Sequence, residues 1–426
     1  MKINSKGFSV IGYLLTHFFI MSVMFTNATT AAIFSVNSGY DVNDLEPGNG
    51  LCVAYLLINP PFVLPFCTLR GAIEETNALP GRDTIVLGSG TYRLSLPGPG
   101  EDQAATGDLD ITDSLHIIGA GTDKTFIDGN KLDRVFDILG ENTTITLSWL
   151  TITNGNLPAG QPYSRKGGGG VRNETSLFLK NVVLSKNSVS GASSDDIGGG
   201  LLNRGTCSVT DSTIDDNHAY KGGGIFNDSR SNIRIFSSTV SGNSSQDGAG
   251  LMNHGAADVI NSTLSKNSAW GGLSSGSAVY NENQLRLIHC TIAENSADRG
   301  GGIRNDGGTV SMVNTLIANN RGGNCYSPGE IISEGHNLDS DNSCGLTSLD
   351  LKNIDPQLGL LQDNGGYTQT YGLKPGSPAI DAGRPLPNIS TDQRGTPRPQ
   401  RESPDIGSFE AKNISIVPFI APLLFN

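Results

Sequence analysis

Apolar residues in the middle of the chain recur in a fixed register around two kinds of asparagine. A glycine-rich stretch ends in the first Asn, and a stretch of the type S-T-I-x-x-N ends in the second. The first Asn of each repeat is Asn173, Asn203, Asn227, Asn253, Asn281 and Asn305. The second is Asn187, Asn217, Asn243, Asn267, Asn295 and Asn320. The mean repeat length is about 26 residues, and the positions ten, eight and three residues before the second Asn are apolar in all six repeats.

This pattern predicts short β-strands joined by bends. Apolar residues two apart, such as Ile233 and Ile235, have the period of a strand with one buried face. The second Asn follows the first by 14 to 16 residues, whereas the return interval varies from 10 to 16, so insertions collect on one side. Strands this short and this regular do not suit hairpins with two-residue turns. We therefore predict an all-β chain whose coils stack as a parallel solenoid, about 4.8 Å apart.

Composition agrees with a chain of many tight turns. Of 426 residues, 55 are Gly and only 16% are charged, whereas an ordinary soluble domain has roughly half that share of Gly and about a quarter of charged residues. Gly is unfavourable inside helices, which excludes a helical bundle. The 41 acidic and 29 basic residues give a net charge of −12. We expect no nucleic-acid partner, because this charge repels a phosphate backbone.

The alternation of G-G-G-I-x-N and S-T-I-x-x-N resembles the right-handed parallel β-helix repeats of the pectate-lyase-like superfamily. The resemblance implies a right-handed parallel β-helix. Recurrent Asn at one turn also suggests a ladder of side-chain amides that hydrogen-bond from coil to coil. We predict such a ladder in at least one Asn column. The alternative is that each Asn only tolerates a left-handed turn conformation.

Segments on both sides of the repeats resemble domains of exported β-helix proteins. Residues 66–73 (FCTLRGAI) resemble the motif that names the CSLREA domain, and residues 353–383 and 392–410 resemble the choice-of-anchor Q region. The predicted organisation is a signal peptide (1–32), an N-terminal cap (33–100), β-helix repeats (101–320), a C-terminal cap (321–411) and a tail (412–426).

The N-terminal cap is expected to contain a short helix. Leu69, Ala72, Ile73 and Thr76 share one helical face, and Thr68 is placed to act as the N-cap. The apolar end of a solenoid has to be covered. We therefore predict that this helix covers the first coil.

The start of the chain has the order of a secretory signal peptide. Lys2 and Lys6 precede an apolar run over residues 8–25, and small residues follow up to Ala32. The alternative is an uncleaved membrane anchor, because the run approaches the length that spans a bilayer. In both cases we expect the rest of the chain to be secreted or displayed at the cell surface.

Six cysteines in an exported chain suggest disulfides. Cys52 with Cys67, and Cys325 with Cys344, are closely spaced pairs in irregular sequence, and we predict two loop disulfides. Cys207 and Cys290 lie within repeats at different phases. We expect these two to be free and buried.

The acidic residues that best fit a catalytic site are Asp211, Asp215 and Asp216, followed by His218. Paired carboxylates act as acid and base in glycoside hydrolysis. The chain lacks the Gly-His-Gly and Arg-Ile-Lys signatures of β-helix polygalacturonases, so the alternative is a plain solvated turn. The sequence has no His/Cys metal motif, P-loop or nucleophile elbow. We expect no cofactor, with Ca²⁺ required only if the protein is a lyase.

Two outward columns form a candidate ligand surface. Nine residues before the second Asn, Asp258 lies between Arg234 and Arg286, which predicts an exposed ion-pair ladder and not a calcium site. Seven residues before it, the column is apolar in four consecutive repeats. Its members are Phe236, Ile260, Ile288 and Val313. Either another segment covers this stripe of about 14 Å, or the stripe contacts a partner or glycan.

Two functions follow from this organisation. The first is a secreted or cell-surface β-helix protein, a monomer, with a binding, adhesive or structural role toward an extracellular polysaccharide or a cell-surface partner. The second is a polysaccharide lyase or glycoside hydrolase on the same scaffold. Fold alone does not decide between them. The absence of a recognised catalytic signature favours the first.

Overall fold

The computed structural model describes residues 31–54, 65–98, 100–159, 166–191, 193–272 and 276–412. The expected signal peptide, apart from its last two residues, and nearly all of the expected tail lie outside these ranges. Within them, no helix has the length and apolar character needed to cross a membrane.

Parallel strands stack in three rows, here named sheets 1, 2 and 3 in the order in which a coil passes through them after its first Asn. Sheets 1 and 2 are joined and contain 20 strands together. The join arises because Thr144–Thr153 and Ser176–Ser185 run through the bend between the two sheets without a break. Sheet 3 contains nine strands.

The bounds of the strands are as follows. Sheet 1 contains Ile33–Val36, Asp83–Leu87, Leu115–Ile118, the first halves of Thr144–Thr153 and Ser176–Ser185, Thr206–Thr210, Asn232–Phe236, Ala256–Ile260, Gln284–Ile288, Thr309–Val313 and Glu330–Ser333. Sheet 2 contains Gly90–Arg93, Thr125–Asp128, the second halves of the two long strands, Thr213–Asp215, Thr239–Ser241, Thr263–Ser265, Thr291–Ala293, Leu316–Ala318, Leu338–Asp339 and Leu351–Lys352. Sheet 3 contains Leu109–Ile111, Phe136–Ile138, Val171–Asn173, Leu201–Asn203, Ile225–Asn227, Leu251–Asn253, Val279–Asn281, Ile303–Asn305 and Cys325–Tyr326. Smaller pairs are Asn156–Leu157 with Ser188–Val189, Ser244–Ser245 with Ser268–Ala269, and the antiparallel Leu358–Gln362 with Thr370–Leu373.

The strand pairing confirms the predicted fold class, an all-β right-handed parallel β-helix with one short helix in the described ranges. Residues that lie the same number of positions before the second Asn of their repeats are strand-pairing partners in neighbouring coils. Arg234, for example, pairs with Asp258, which pairs with Arg286. The pairing also extends beyond residues 101–320, from Ile33–Val36 at one end to Leu351–Lys352 at the other.

The three apolar columns point into the solenoid, as predicted. Ile235, Val259 and Leu287 are completely buried, and the most exposed member of the three columns, Cys207, retains only 5% of its accessible surface. Alternate residues on these short strands therefore form one continuous core that passes through every coil.

Two residues in every repeat adopt left-handed backbone conformation, and neither of them is one of the two recurrent Asn residues. The positions lie six residues and one residue before the second Asn, with φ between 47° and 65°. They are Asn181, Asp211, Ser237, Asn261, His289 and Asn314 at the first, and Lys186, Asp216, Gly242, Lys266, Glu294 and Asn319 at the second. The alternative that the recurrent Asn residues only provide left-handed turns is therefore wrong. The sharp bends are made by the residues before them.

Both Asn columns form amide ladders, which confirms and extends the prediction. In the first column, Asn173 Nδ2 donates to Asn203 Oδ1 at 2.8 Å, and the same bond recurs through Asn305. In the second, Asn217 Nδ2 donates to Asn243 Oδ1 at 3.0 Å, within a ladder from Asn187 to Asn320. The ladders satisfy buried amides along the core, where unpaired polar groups are costly.

The N-terminal helix spans Leu69–Ala78. Thr68 is its N-cap, and its Oγ1 accepts a hydrogen bond of 2.9 Å from a backbone N–H of the first turn. Leu69, Ala72 and Ile73 belong to the main core of the solenoid. The predicted apolar face of the helix is therefore the face that packs against the first coils.

The two predicted disulfides are present, Cys52 to Cys67 and Cys325 to Cys344. Cys207 and Cys290 are free and buried, as expected. Burial raises the pKa of the Cys290 thiol to about 12, and the same cause raises the pKa of Cys207.

The C-terminal segment, residues 354–411, lies along the flank of the solenoid and not only over its end. Thr239 Oγ1 donates to the Gln369 carbonyl at 2.7 Å, and Asn314 Nδ2, three coils further along, donates to the Arg384 carbonyl at 2.8 Å. A cap that covered only the last coil would not contact both. The expectation of a simple C-terminal cap is corrected to a lateral cover.

Arginines hold this lateral segment together. Arg394 pairs with Asp392 at 2.6 Å. Arg398 pairs with the Glu410 carboxylate at 2.8 Å and donates to the backbone carbonyl of Asp405. Both arginines are therefore structural.

Candidate functional site

The outward face of sheet 1 carries a shallow depression, here named the outer groove. Strand alternation brings this about, because every residue between two core positions points away from the solenoid. The groove has a volume of about 680 Å³. Its floor follows two outward columns through consecutive coils. Polar and charged lining residues include Thr206, Ser208, Asn232, Arg234, Asp258, Gln284, Arg286, Thr309 and Ser311.

The outer groove is bordered by a second depression of about 510 Å³ on the earlier coils. The two share Phe178 and Ser208, so together they form one strip across the sheet. The second depression adds Arg82 and Lys180 to the lining. Phe178 stands at the junction with 46% of its surface exposed.

The two groove arginines are not held in ion pairs. Arg234 and Arg286 are exposed, and Asp258 between them is half-buried. In the part of the chain that the structure describes, neither guanidinium lies within 4.0 Å of a carboxylate, and the Arg234 guanidinium lies over the Phe236 ring at 5.7 Å. The predicted ion-pair ladder is therefore wrong. Strand register brings the three residues side by side, but their side chains extend outward without meeting.

The charge of the strip is opposite to that of the chain. Arg82, Lys180, Arg234 and Arg286 face it, and Asp258 is the one acid among the lining residues. The whole chain carries −12. A local surplus of positive charge in a concave surface attracts anions even when the net charge of the protein is negative.

The apolar half of the predicted ligand surface is covered. Ile260 and Ile288 retain 5% and 4% of their surface, and Val313 retains 2%. Leu386 and Ile389 of the C-terminal segment pack against this column together with Phe236. The prediction of ligand contacts at Phe236, Ile260 and Ile288 is therefore wrong. These residues are the surface on which the C-terminal segment packs. The open alternative of a covering terminal segment is the correct one.

The residues proposed for catalysis are spread along one coil. Asp211 and Asp216 occupy the two left-handed bend positions of their coil, which lie at opposite ends of the short strand Thr213–Asp215. Asp215 is in that strand, and His218 Nδ1 lies 2.9 Å from Ser244 Oγ of the next coil. None of the four residues lines the outer groove or the second depression.

Burial raises the pKa of two of these acids. Burial, and secondarily the charge of Asp216, raises the pKa of Asp215 to about 6. Burial also raises the pKa of Asp211, and nearby Lys180 opposes that shift. A raised pKa is compatible with a general acid. Asp211 and Asp216 nevertheless occupy bend positions, and Asp215 ends a strand.

Sequence reasoning found Arg234, Asp258 and Arg286 but missed the other end of the strip. Arg82 precedes the six regular repeats, so the Asn register did not reach it. Phe178 and Lys180 occupy the correct outward columns, but as single residues they gave no pattern. These residues could have been found only from the stacking of the irregular early coils on the regular ones, which the repeat pattern does not show.

Comparison with known proteins leaves the family open. No model of a protein family matches the chain, and no curated protein matches it. Among solved structures, the chain is similar to one described as the crystal structure of pectate lyase Pel9A, with a TM-score of 0.45 and 16% sequence identity over 90% of this chain and 97% of that chain. The fold assignment rests on the strand pairing described above. The CSLREA and choice-of-anchor Q resemblances stay predictions.

Proposed function

We propose that this is a secreted or cell-surface β-helix protein that binds an acidic extracellular polysaccharide along the outer groove. The observation that carries the proposal is the pair of exposed guanidinium groups of Arg234 and Arg286, two coils apart and without carboxylate partners in the described structure. Guanidinium groups bind carboxylates and sulfates through paired N–H donors. An extended polyanion laid across the coils would reach both.

The shape and composition of the strip favour a sugar chain. The strip is open along its length and is floored by Thr, Ser, Asn and Gln side chains, which donate and accept hydrogen bonds as sugar hydroxyls do. Phe178 supplies one exposed ring at the centre. A single ring suits an isolated sugar contact, whereas proteins that bind single-stranded nucleic acid present several rings in succession.

Export is supported by the disulfides and by the order of the first 32 residues. Two disulfides in one chain are typical of an oxidising compartment. The apolar run after Lys2 and Lys6 has the order of a signal peptide. Extracellular acidic polysaccharides are present in that compartment. We propose a binding or adhesive role for the protein there, as a monomer and without a cofactor at the glycan-binding site.

Glycan binding is tested with the purified mature protein and a panel of polymers. Calorimetric titration compares polygalacturonate, alginate and a sulfated glycosaminoglycan with neutral dextran, and single-stranded DNA controls for charge alone. We expect saturable binding to at least one acidic polysaccharide that weakens as salt is raised, because exposed charge pairs are screened. The double variant Arg234→Gln/Arg286→Gln should weaken binding by about 2- to 30-fold, at about 0.2–1 kcal/mol for each exposed pair lost.

The matched control is Arg299→Gln/Arg321→Gln. This variant also removes two positive charges, but they lie in the turns between sheets 2 and 3. Binding should not change beyond the effect of net charge. Equal weakening by both double variants, or tighter binding to DNA than to every polysaccharide, would contradict the groove as a glycan site.

The same panel tests the enzyme alternative. Release of unsaturated or reducing ends, with or without added Ca²⁺, that disappears in Asp215→Ala/Asp216→Ala would show that the protein is a lyase or glycoside hydrolase. Binding without any product supports the binding role.

A further inference from the structure

Three carboxylates meet at the N-terminal part of sheet 3, away from the outer groove. Asp110 and Asp137 occupy the middle of Leu109–Ile111 and Phe136–Ile138 and are register partners in adjacent coils. Asp102 reaches them from the loop before the first of these strands. One carboxylate oxygen from each of the three lies within 4.8 Å of the others.

A buried and unsatisfied oxygen lies in this cluster. Asp110 has no accessible surface. Its Oδ2 accepts a hydrogen bond from the Ala104 N–H at 2.7 Å, but its Oδ1 is buried without a hydrogen-bond partner. An ionised oxygen in this state is very unfavourable unless an opposite charge satisfies it. The loop that supplies the hydrogen bond is the same loop that carries Asp102.

The surrounding charge is negative in excess. Asp108, Asp133 and Glu101 lie around the three carboxylates. The nearby cations are Arg134, Arg172 and Arg70, and Arg70 pairs with Asp41. Acidic groups therefore outnumber arginines around the cluster. Arg134 pairs with Asp108 at 2.6 Å and Arg172 holds both oxygens of Asp137, at 2.7 and 2.6 Å. Each of these carboxylate oxygens keeps a second lone pair that can bind a cation.

We propose that Asp102, Asp110 and Asp137 bind one divalent cation, and that this cation is Ca²⁺. The donors are all oxygens, which hard cations prefer. Ca²⁺ accepts about 6–8 oxygen ligands at about 2.3–2.6 Å in a flexible geometry, whereas Mg²⁺ requires a near-ideal octahedron at about 2.0–2.1 Å. Asp102 is exposed, so the ion has a path from solvent and room for water ligands. The site is independent of the glycan-binding proposal.

The cation fastens a loop to the first coils. Arg70 on the N-terminal helix donates to the carbonyls of Ala104, Gly107 and Asp108 in that loop. Ca²⁺ bound to Asp102 would join the other side of the loop to Asp110 and Asp137. The N-terminal cover of the solenoid is therefore stabilised by Ca²⁺, because a ligand that binds only the folded state raises its stability.

The test uses the mature protein stripped with a chelator and dialysed. Calorimetric titration with CaCl₂ should give one site per chain that is filled poorly by MgCl₂, and the Tm should rise with Ca²⁺ concentration. Asp102→Asn, at an exposed position that leaves the core intact, should weaken Ca²⁺ binding at least tenfold. Asp110→Asn should do the same. The control Asp258→Asn removes an acid from the outer groove and should leave Ca²⁺ affinity unchanged.

Three results would overturn the proposal. The first is the absence of saturable Ca²⁺ binding by the wild type. The second is Ca²⁺ binding that survives both Asp102→Asn and Asp110→Asn. The third is Ca²⁺ binding that is lost in Asp258→Asn, which would place the ion in the outer groove. Glycan binding is measured on the same variants, so failure of the calcium site and failure of the glycan site are distinguishable.

Discussion

The amide ladders make a sharp prediction about what stabilises the solenoid. Asn243 lies in the middle of the second ladder and is completely buried. Its Oδ1 accepts hydrogen bonds from the Asn217 backbone N–H and from Asn217 Nδ2, both at 3.0 Å. Its Nδ2 donates to the Ile214 carbonyl at 2.9 Å and to Asn267 Oδ1 at 3.0 Å. Asn243→Leu removes all four bonds while keeping a side chain of similar length.

The expected cost follows from these contacts. A neutral hydrogen bond contributes about 1 kcal/mol net, and an orphaned buried group costs about 1–3 kcal/mol. The Asn217 backbone N–H loses its acceptor inside the core, and three further bonds are lost. The free energy of unfolding should therefore fall by about 4–6 kcal/mol. Domains are typically stable by about 5–15 kcal/mol, so the loss is large.

The assay is urea denaturation followed by circular dichroism, with Asn232→Leu as the matched control. Asn232 is exposed on sheet 1, and no hydrogen bond of its side chain occurs among the described residues. The control should change stability by no more than about 0.5 kcal/mol. If Asn243→Leu is as stable as the control, the ladder does not contribute to stability and the reasoning above is wrong.

Three further predictions concern the core, a buried acid and the free thiols. Ile235→Asp should prevent folding because it buries a charge, whereas Arg234→Asp next to it should fold and melt like the wild type; equal effects would refute the assigned register. Asp215 has a folded-state pKa of about 6, above its ordinary value of 3.8, so its ionisation destabilises the native state as pH rises from about 4 to 6. Asp215→Asn should thus stabilise the protein in urea titrations by up to about 3 kcal/mol at pH 8 and by nothing at pH 3, and a pH-independent effect would contradict this assignment. Cys207 and Cys290 should not react with a thiol reagent at pH 8 until the protein is unfolded, and rapid labelling of the native protein would mean that the core opens.

Local pattern was sufficient to predict the regular part of the molecule. Strand alternation fixed which residues of a coil point inward, and the recurrence of Asn marked where coils repeat, so Ile235 and Arg234 could be assigned to opposite faces. The spacing of Cys52 and Cys67 predicted a disulfide within one loop. Each of these features depends on residues close in sequence or on the same position in neighbouring repeats.

Contacts between distant segments could not be read in this way. The register placed Asp258 between Arg234 and Arg286 but gave no information on whether their side chains meet, and in the structure they do not. The assignment of Asp211, Asp215 and Asp216 to one site assumed that nearness in sequence means nearness of the carboxyl groups. In the structure Asp215 and Asp216 are neighbours, and Asp211 lies at the other end of Thr213–Asp215, at the preceding left-handed bend.

The sequence by itself therefore determined the β-helix, its core columns and its ladders. A repeating pattern of inward-facing and outward-facing residues can bury its apolar side chains only when the same positions stack in neighbouring coils. Tertiary structure alone decided what lies on the outer surface. Leu386 covers Ile260, more than a hundred residues away along the chain, and Asp102 joins Asp110 and Asp137 from an irregular loop. These contacts depend on how non-repeating segments fold back on the coils. The apolar area and the charge that these segments bury are set only when the whole chain is packed.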